Sequence, residues 1–163
     1  GGNIMHKWQI LTSIFVLLFV CEEVAAGDKE DVVATFGAIL DGFTNGDMDA
    51  AQKRTSPEAY AFPGGGGLLV SIGSADVGVL KGHQRYKENV EAGYRAEQQR
   101  LHSDVKVYGD TAILTEYHMK RRTFPDGTTQ NVKLRITAVL VKQKGQWKLV
   151  HHHNSLLFPD HSH

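Results

Sequence analysis

The chain has 163 residues, one cysteine, and 18 basic residues against 18 acidic ones. That length holds one domain with a proper core and leaves little room for two. The balanced charge supplies no cationic surface for a nucleic-acid backbone, and the nine histidines add charge only in acid.

The N-terminal stretch reads as a removable leader. Met5-His6-Lys7-Trp8 is a short basic head, Ile10 to Val20 an apolar run, and Val24-Ala25-Ala26 a small-residue cleavage site. The run falls well short of the ~20 residues that a membrane-spanning helix needs. Residues 1–26 are therefore expected to be a leader and secretory signal peptide cut after Ala26. The mature protein would be secreted or periplasmic and held in no membrane. Gly1 to Ile4 precede the expected initiator, Met5. Cleavage removes Cys21 together with Lys7, Glu22 and Glu23, leaving 17 basic and 16 acidic residues. A thiol-free mature chain excludes disulfides, cysteine nucleophiles and thiolate metal sites together.

Asp28 is placed to cap a helix from about Lys29 to Asn45, in which Val32, Val33, Phe36, Ile39, Leu40 and Phe43 recur at helical spacing. Asn45-Gly46 stops it, and Asp47 opens a short helix to about Arg54. Thr55-Ser56-Pro57 breaks that helix, because the residue before proline avoids helical geometry. Tyr60-Ala61-Phe62 reads as a brief strand, Gly64 to Gly67 as a flexible hairpin tip, and Leu68 to Ile72 as the returning strand. The glycine run lacks the Gly-Lys-Ser/Thr ending of a phosphate loop. A third helix is predicted from about His83 to Gln99, weakened by Gly93. Four strands follow: Leu101 to Tyr108, Thr111 to Arg122, Gln130 to Lys142 and Gln146 to Leu156. Gly109-Asp110, Pro125-Asp126-Gly127 and Lys144-Gly145 are their turns. Helices first and an antiparallel meander last predict an α+β domain over residues 27–158. Residues 159–163 are polar and expected to form a flexible tail.

The last two strands carry the polar side chains that suggest a site. Simple alternation puts Trp147, Leu149, His151, His153 and Ser155 on one side of the final strand. Arg135 and Thr137 share a side with Val139 and Val141 on its neighbour. An arginine is always charged, so on an apolar strand it needs an ion-pair partner, with Glu116 or Asp104 as candidates, or a ligand. His151 or His153 has the titration range of a general acid or base. Two histidines at i and i+2 lack a third metal ligand, so neither a metal nor another cofactor is expected. Ser155 has no nucleophile elbow around it. Tyr60, Tyr86, Tyr94 and Tyr117 can donate hydrogen bonds into a cavity or sit in the core with the hydroxyl at its edge.

Four stretches together resemble the nuclear transport factor 2-like superfamily, and within it the SnoaL-like domains. They are Phe43-Thr44-Asn45-Gly46-Asp47-Met48-Asp49-Ala50, Lys81-Gly82-His83, Tyr108-Gly109-Asp110-Thr111-Ala112, and the strand Gly145 to Ser155. The resemblance covers about residues 28–158. It implies a cystatin-like cone, a curved antiparallel sheet with N-terminal helices packed on it, related to ketosteroid isomerase and to the calcium/calmodulin-dependent kinase association domain. It further implies a pocket for a small molecule. By the likeness to the kinase domain, Arg135 would clamp an anionic ligand there, with Tyr60, Tyr86, Tyr94, Tyr117, Trp147 and Ser155 around it. A homodimer through the outer face of the sheet is expected, partly to cover Leu134, Ile136, Ala138 and Leu140. No residue matches the isomerase base or the dehydratase His-Asp pair. The first expectation is thus binding of a small anionic or carbonyl-containing molecule. Acid-base catalysis by His151 or His153, in an isomerase, dehydratase or cyclase, is one alternative, and a non-catalytic oligomerisation module is another.

Overall fold

The computed structural model describes residues 27–63 and 68–157, apart from the side chains of residues 77, 78 and 80. The leader with its cleavage site, the Gly64–Gly67 tip and the tail lie outside the described residues. The element order is α1 (residues 27–45), α2 (Met48–Gln52), β1 (Thr55–Phe62), β2 (Val70–Ser71), α3 (Val77–Glu91), β3 (Arg95–Tyr108), β4 (Thr111–Thr123), β5 (Thr129–Gln143) and β6 (Gln146–Leu156). The six strands form one sheet in the order β2-β1-β6-β5-β4-β3. Its pairings are antiparallel except that β1 runs parallel to β6, which makes the sheet mixed. Among the described residues no helix is long and apolar enough to cross a membrane.

One face of the sheet, here the inner face, carries the helices. Val32, Phe36 and Ile39 of α1 pack against Leu114, Ile136, Ala138, Leu140, Trp147 and Leu149. Burying each large side chain of this set contributes roughly 1.5–3 kcal/mol. Leu134, Ile136, Ala138 and Leu140 are therefore covered within the chain, and they do not call for a partner subunit. The first turn of α1 is tied down by Asp28. Its carboxylate accepts from Lys142 Nζ and from Trp147 Nε1 at 3.3 Å, beside the positive end of the helix. Lys142 Nζ also lies 5.0 Å from the centre of the Trp147 ring.

Three departures from the predicted elements have identifiable causes. The strand β1 begins at Thr55, so the Thr-Ser-Pro sequence opens a strand as well as closing α2. Its register to β6 is irregular between Thr55 and Tyr60, the stretch that holds Pro57. The helix α3 starts earlier than predicted and ends at Glu91. Gly93, at φ 108°, stops it: Gly93 N bonds to Val90 O at 3.1 Å and Tyr94 N to Asn89 O at 2.9 Å, a Schellman pair. The freed residues extend β3 back to Arg95.

The third departure moves the candidate site. Leu140 pairs with Leu149 but Val139 pairs with His151, leaving Val150 as the extra residue of a bulge. Each side chain beyond it changes face relative to simple alternation. Trp147 and Leu149 point inward, as do His152 and Asn154. His151, His153 and Ser155 lie with Arg135 and Thr137 on the outer face. The expectation that Trp147 shares a face with His151, His153 and Ser155 is thereby corrected.

A Cβ on Gly93 would meet nothing closer than Pro125 Cα at 3.9 Å, so substitution there strains only the backbone. Gly93→Ala is expected to cost about 1–2 kcal/mol, measured as a lowered denaturant midpoint with an unchanged m-value.

Candidate functional site

The inner face holds a buried polar network between its apolar core and the end where β3 begins and β4 finishes. Along β4, Ala112 and Leu114 are followed on the same face by Glu116, His118 and Lys120. Glu116 is 2% exposed and His118 1% exposed. An isolated carboxylate at that depth would be expensive, so its partners decide whether it is tolerated. Arg100, opposite His118 on β3, donates from Nε to both Glu116 oxygens at 3.0 Å and from Nη2 to Oε1. Ser103 Oγ donates to Oε1 at 2.6 Å, and His118 Nε2 donates to Oε2 at 2.5 Å. Gln98 Nε2 donates to His118 Nδ1, so both ring nitrogens are used and the imidazole proton sits on Nε2. Arg100 Nη1 also reaches the Val33 carbonyl at 3.2 Å, which ties β3 to α1. Gly37 makes room for this approach, since a Cβ there would lie 2.6 Å from Arg100 Nη1.

Burial alone pushes the Glu116 carboxyl upward. Hydrogen bonds from His118, Arg100 and Ser103, and the charge of Arg100, outweigh it and bring the pKa from 4.5 down to about 2. Such a carboxylate is a weak base with its lone pairs already occupied. The network holds the sheet and is not free to take a substrate proton.

Next to it the chemistry changes. Lys120 and Arg122 follow on the same face, opposite Gln98 and Ala96. Lys120 has no hydrogen bond or ion pair among the described residues. Burial, then the charge of Arg122, lowers its pKa from the ordinary 10.5. Arg122 Nη1 donates to Gln130 Oε1 at 3.3 Å, while its Nε is buried with no partner among the described residues. A chain of edge-on rings borders this end. Phe43 meets His83 and Tyr86 at centroid distances of 6.3 and 6.4 Å, Tyr86 meets Tyr94 at 5.8 Å, and Tyr94 meets Phe124 at 5.9 Å. The Tyr86 hydroxyl is pushed up by burial and by Tyr94, and pulled down by Arg122, which puts the guanidinium within electrostatic reach of the ring wall. His152 Nδ1, Asn154 Oδ1 and Gln52 Oε1 are further buried polar atoms with no partner among the described residues. Burial, then His151 and His153, lowers the His152 pKa to about 4.

The sequence-predicted residues thus divide between two places. Tyr86 and Tyr94 stand at the inner ring wall, and Trp147 is in the core. Arg135, Ser155, His153 and Tyr117 line a concavity of about 390 Å³ on the outer face. Tyr60 is also outward, opposite His151, and Phe62 packs edge-on against His151 and His153 at 5.9 and 5.5 Å. Neither anticipated ion pair of Arg135 forms: Glu116 is on the other face with Arg100, and Asp104 pairs with Lys106 at 3.8 Å. Sequence reasoning singled out Glu116 but missed Arg100, His118, Lys120 and Arg122. The signal available was the spacing of Glu116, His118 and Lys120 behind Ala112 and Leu114, which continues one strand face.

The chain belongs to the SnoaL-like domain family, whose match spans residues 32–159. No curated protein matches it by sequence. Its structure is similar to an NTF2-like family protein from Streptomyces avermitilis assigned as a dehydratase (TM-score 0.70, 20% identity, 82% of this chain and 99% of that one). It is similar as well to an NTF2-like protein with a cystatin-like fold from Novosphingobium aromaticivorans (TM-score 0.69, 19% identity, 88% and 90%). The S. rosetta CaMKII hub has a TM-score of 0.62 at 26% identity over 79% of this chain and 96% of its own. The α+β fold is thus that of the NTF2-like proteins, whose members include both ligand-binding domains and enzymes.

Two acid limbs of stability follow. His152 has a folded pKa below its ordinary 6.5, so its contribution is complete above 6.5 and is lost as pH falls toward about 4. Glu116 contributes fully above 4.5 and loses its contribution as pH falls toward about 2. His152→Leu is expected to flatten the first limb only, in urea midpoints measured from pH 7 to pH 3. Arg100→Met leaves a buried carboxylate without its cation. It should cost roughly 3–5 kcal/mol and move the Glu116 limb to higher pH in the same measurement.

Proposed function

We propose that this SnoaL-like domain is an exported binding protein whose inner face takes a small organic anion with a flat, apolar body. The observation that carries this reading is the pair Lys120 and Arg122. Two cations stand side by side on one strand face, partly withdrawn from water, with no carboxylate paired to either among the described residues. Like charges so placed repel and are poorly solvated, a cost that an anionic ligand would reverse. The rings of Phe43, Tyr86, Tyr94 and Phe124 suit the ligand's apolar part, and a carboxylate suits the cations. Export rests on the leader-like residues 5–26 of the sequence.

Binding is favoured over turnover. The acid-base pair on this face, Glu116 and His118, is fully hydrogen-bonded, and its carboxyl is held at about 2. His151 and His153, the residues first considered for acid-base work, lie on the opposite face against Phe62.

Titration calorimetry with benzoate and phenylacetate tests the reading. Lys120→Met should weaken binding at least tenfold and yet raise the melting temperature, since it removes a partly buried charge that costs stability. A variant that binds as the parent does would sink the proposal. Because the ligand's charge raises the Lys120 pKa, binding at alkaline pH should take up a fraction of a proton. Affinity should fall as pH rises through the pKa of the free protein. Buffers of different ionisation enthalpy would measure the uptake, and Lys120→Met should abolish it.

A further inference from the structure

We infer that the free edge of β3 is a self-recognition surface, on which a second copy of this chain lays its own β3 antiparallel and joins the two sheets into one. The contact runs along a strand edge, so it differs from a dimer through the outer face of the sheet. β3 ends the strand order and pairs on one side only, with β4. Its regular edge is bounded at both ends. Leu101 is the extra residue of the register shift between Arg100 and His102, and Gly109, at φ 59°, opens the two-residue turn from Tyr108 to Thr111. Such a turn closes on a hydrogen-bonded pair. Tyr108, Lys106 and Asp104 therefore spend their backbone groups on β4, while Val107, Val105 and Ser103 turn theirs to the edge. Among the described residues no other strand or loop bonds to them there.

The side chains select both the occupant and its register. His102, Asp104, Lys106 and Tyr108 alternate along the outer side of this edge, and all four are exposed. A twofold axis at Val105 sets Asp104 of each copy opposite Lys106 of the other, and Tyr108 opposite His102. The same axis brings the edge-facing backbone groups into register, Val105 with Val105 and Ser103 with Val107. An axis at Asp104 or at Lys106 would set like charge against like. One at Ser103 would run the pairing into the bulge at Leu101, and one at Val107 into the turn at Gly109. Only the axis at Val105 uses the whole regular segment with its charges matched. Within one chain Asp104 and Lys106 pair at 3.8 Å with both side chains more than half exposed. A surface pair of that kind contributes little, so its members can exchange to the other copy. Self-pairing also covers the row of free backbone groups that an edge strand otherwise offers to any extended chain. Lys120 and Arg122 face Gln98 and Ala96, on the far side of the bulge, and stay uncovered.

The test is sedimentation velocity from low to high micromolar protein, with amide hydrogen exchange followed by NMR on the same samples. A dimer is expected in which the amides of Ser103, Val105 and Val107 exchange more slowly as concentration rises. Lys106→Asp and Asp104→Lys each set like charges opposite one another and should weaken the dimer about tenfold or more. The double variant Asp104→Lys/Lys106→Asp exchanges the two charges and should restore it. Both positions are exposed, so unchanged melting of the dilute variants shows that each still folds. Benzoate should bind Lys106→Asp as it binds the parent, which separates failure of the inner site from failure of this edge. Three results would overturn the inference. They are a monomer at every concentration, a dimer in which those three amides exchange as fast as in the monomer, and a charge-exchanged double variant that associates no better than the single ones. The second would move the contact to another surface, such as the outer face of the sheet.

Discussion

A carboxylate with almost no exposure to water is the constraint around which this domain is arranged. Glu116 occupies an apolar strand beneath a helix, where an unpaired charge could not be kept. Arg100 meets it in a forked contact, Ser103 and His118 complete its coordination, and Gln98 in turn fixes His118. Arg100 also reaches the backbone of α1 at Val33, through space that Gly37 leaves open. One buried anion thus couples β3, β4 and α1. It marks the boundary between a hydrocarbon core on one side and a polar, ring-lined end on the other.

The same network explains why the inner face offers cations and not a base. Glu116 is matched to Arg100, and among the described residues no second acid pairs with Lys120 or Arg122. A fold selected only for stability would be expected to place an acid there or replace the cations with apolar groups. Retaining two such charges, with Arg122 within electrostatic reach of Tyr86, is intelligible if a ligand brings the missing negative charge. The outer face repeats the motif in a more exposed form. Arg135 has a hydroxyl where an ion-pair partner was anticipated.

The fold was largely legible because it is written in local chemistry. The Lys144-Gly145 hairpin has both residues at positive φ, 50° and 77°, which matches the tight turn that the sequence suggested and fixes the β5–β6 register. β6 has the bounds expected of it. What sequence could not show was the bulge at Val150, since an inserted residue leaves no mark in an apolar run and yet reverses the facing of the residues after it. For that reason His151, His153 and Ser155 left the inner face and His152 and Asn154 entered it. Gly93 was visible as a weak point, but its role as a helix terminator depended on the capping hydrogen bonds around it. Glu116 stood out as an acid on an apolar strand. Arg100 did not, because its partner is supplied by the β3–β4 register, which also contains a shift between Arg100 and His102.

The most direct test is a crystal structure of the purified protein grown with benzoate. The account predicts the carboxylate within hydrogen-bonding distance of Lys120 Nζ and an Arg122 nitrogen, with the ring against Tyr86 or Tyr94 and the Glu116–Arg100 contact undisturbed. Benzoate bound on the outer face alone, or an inner face in which Lys120 and Arg122 already pair with acids of the chain, would contradict it.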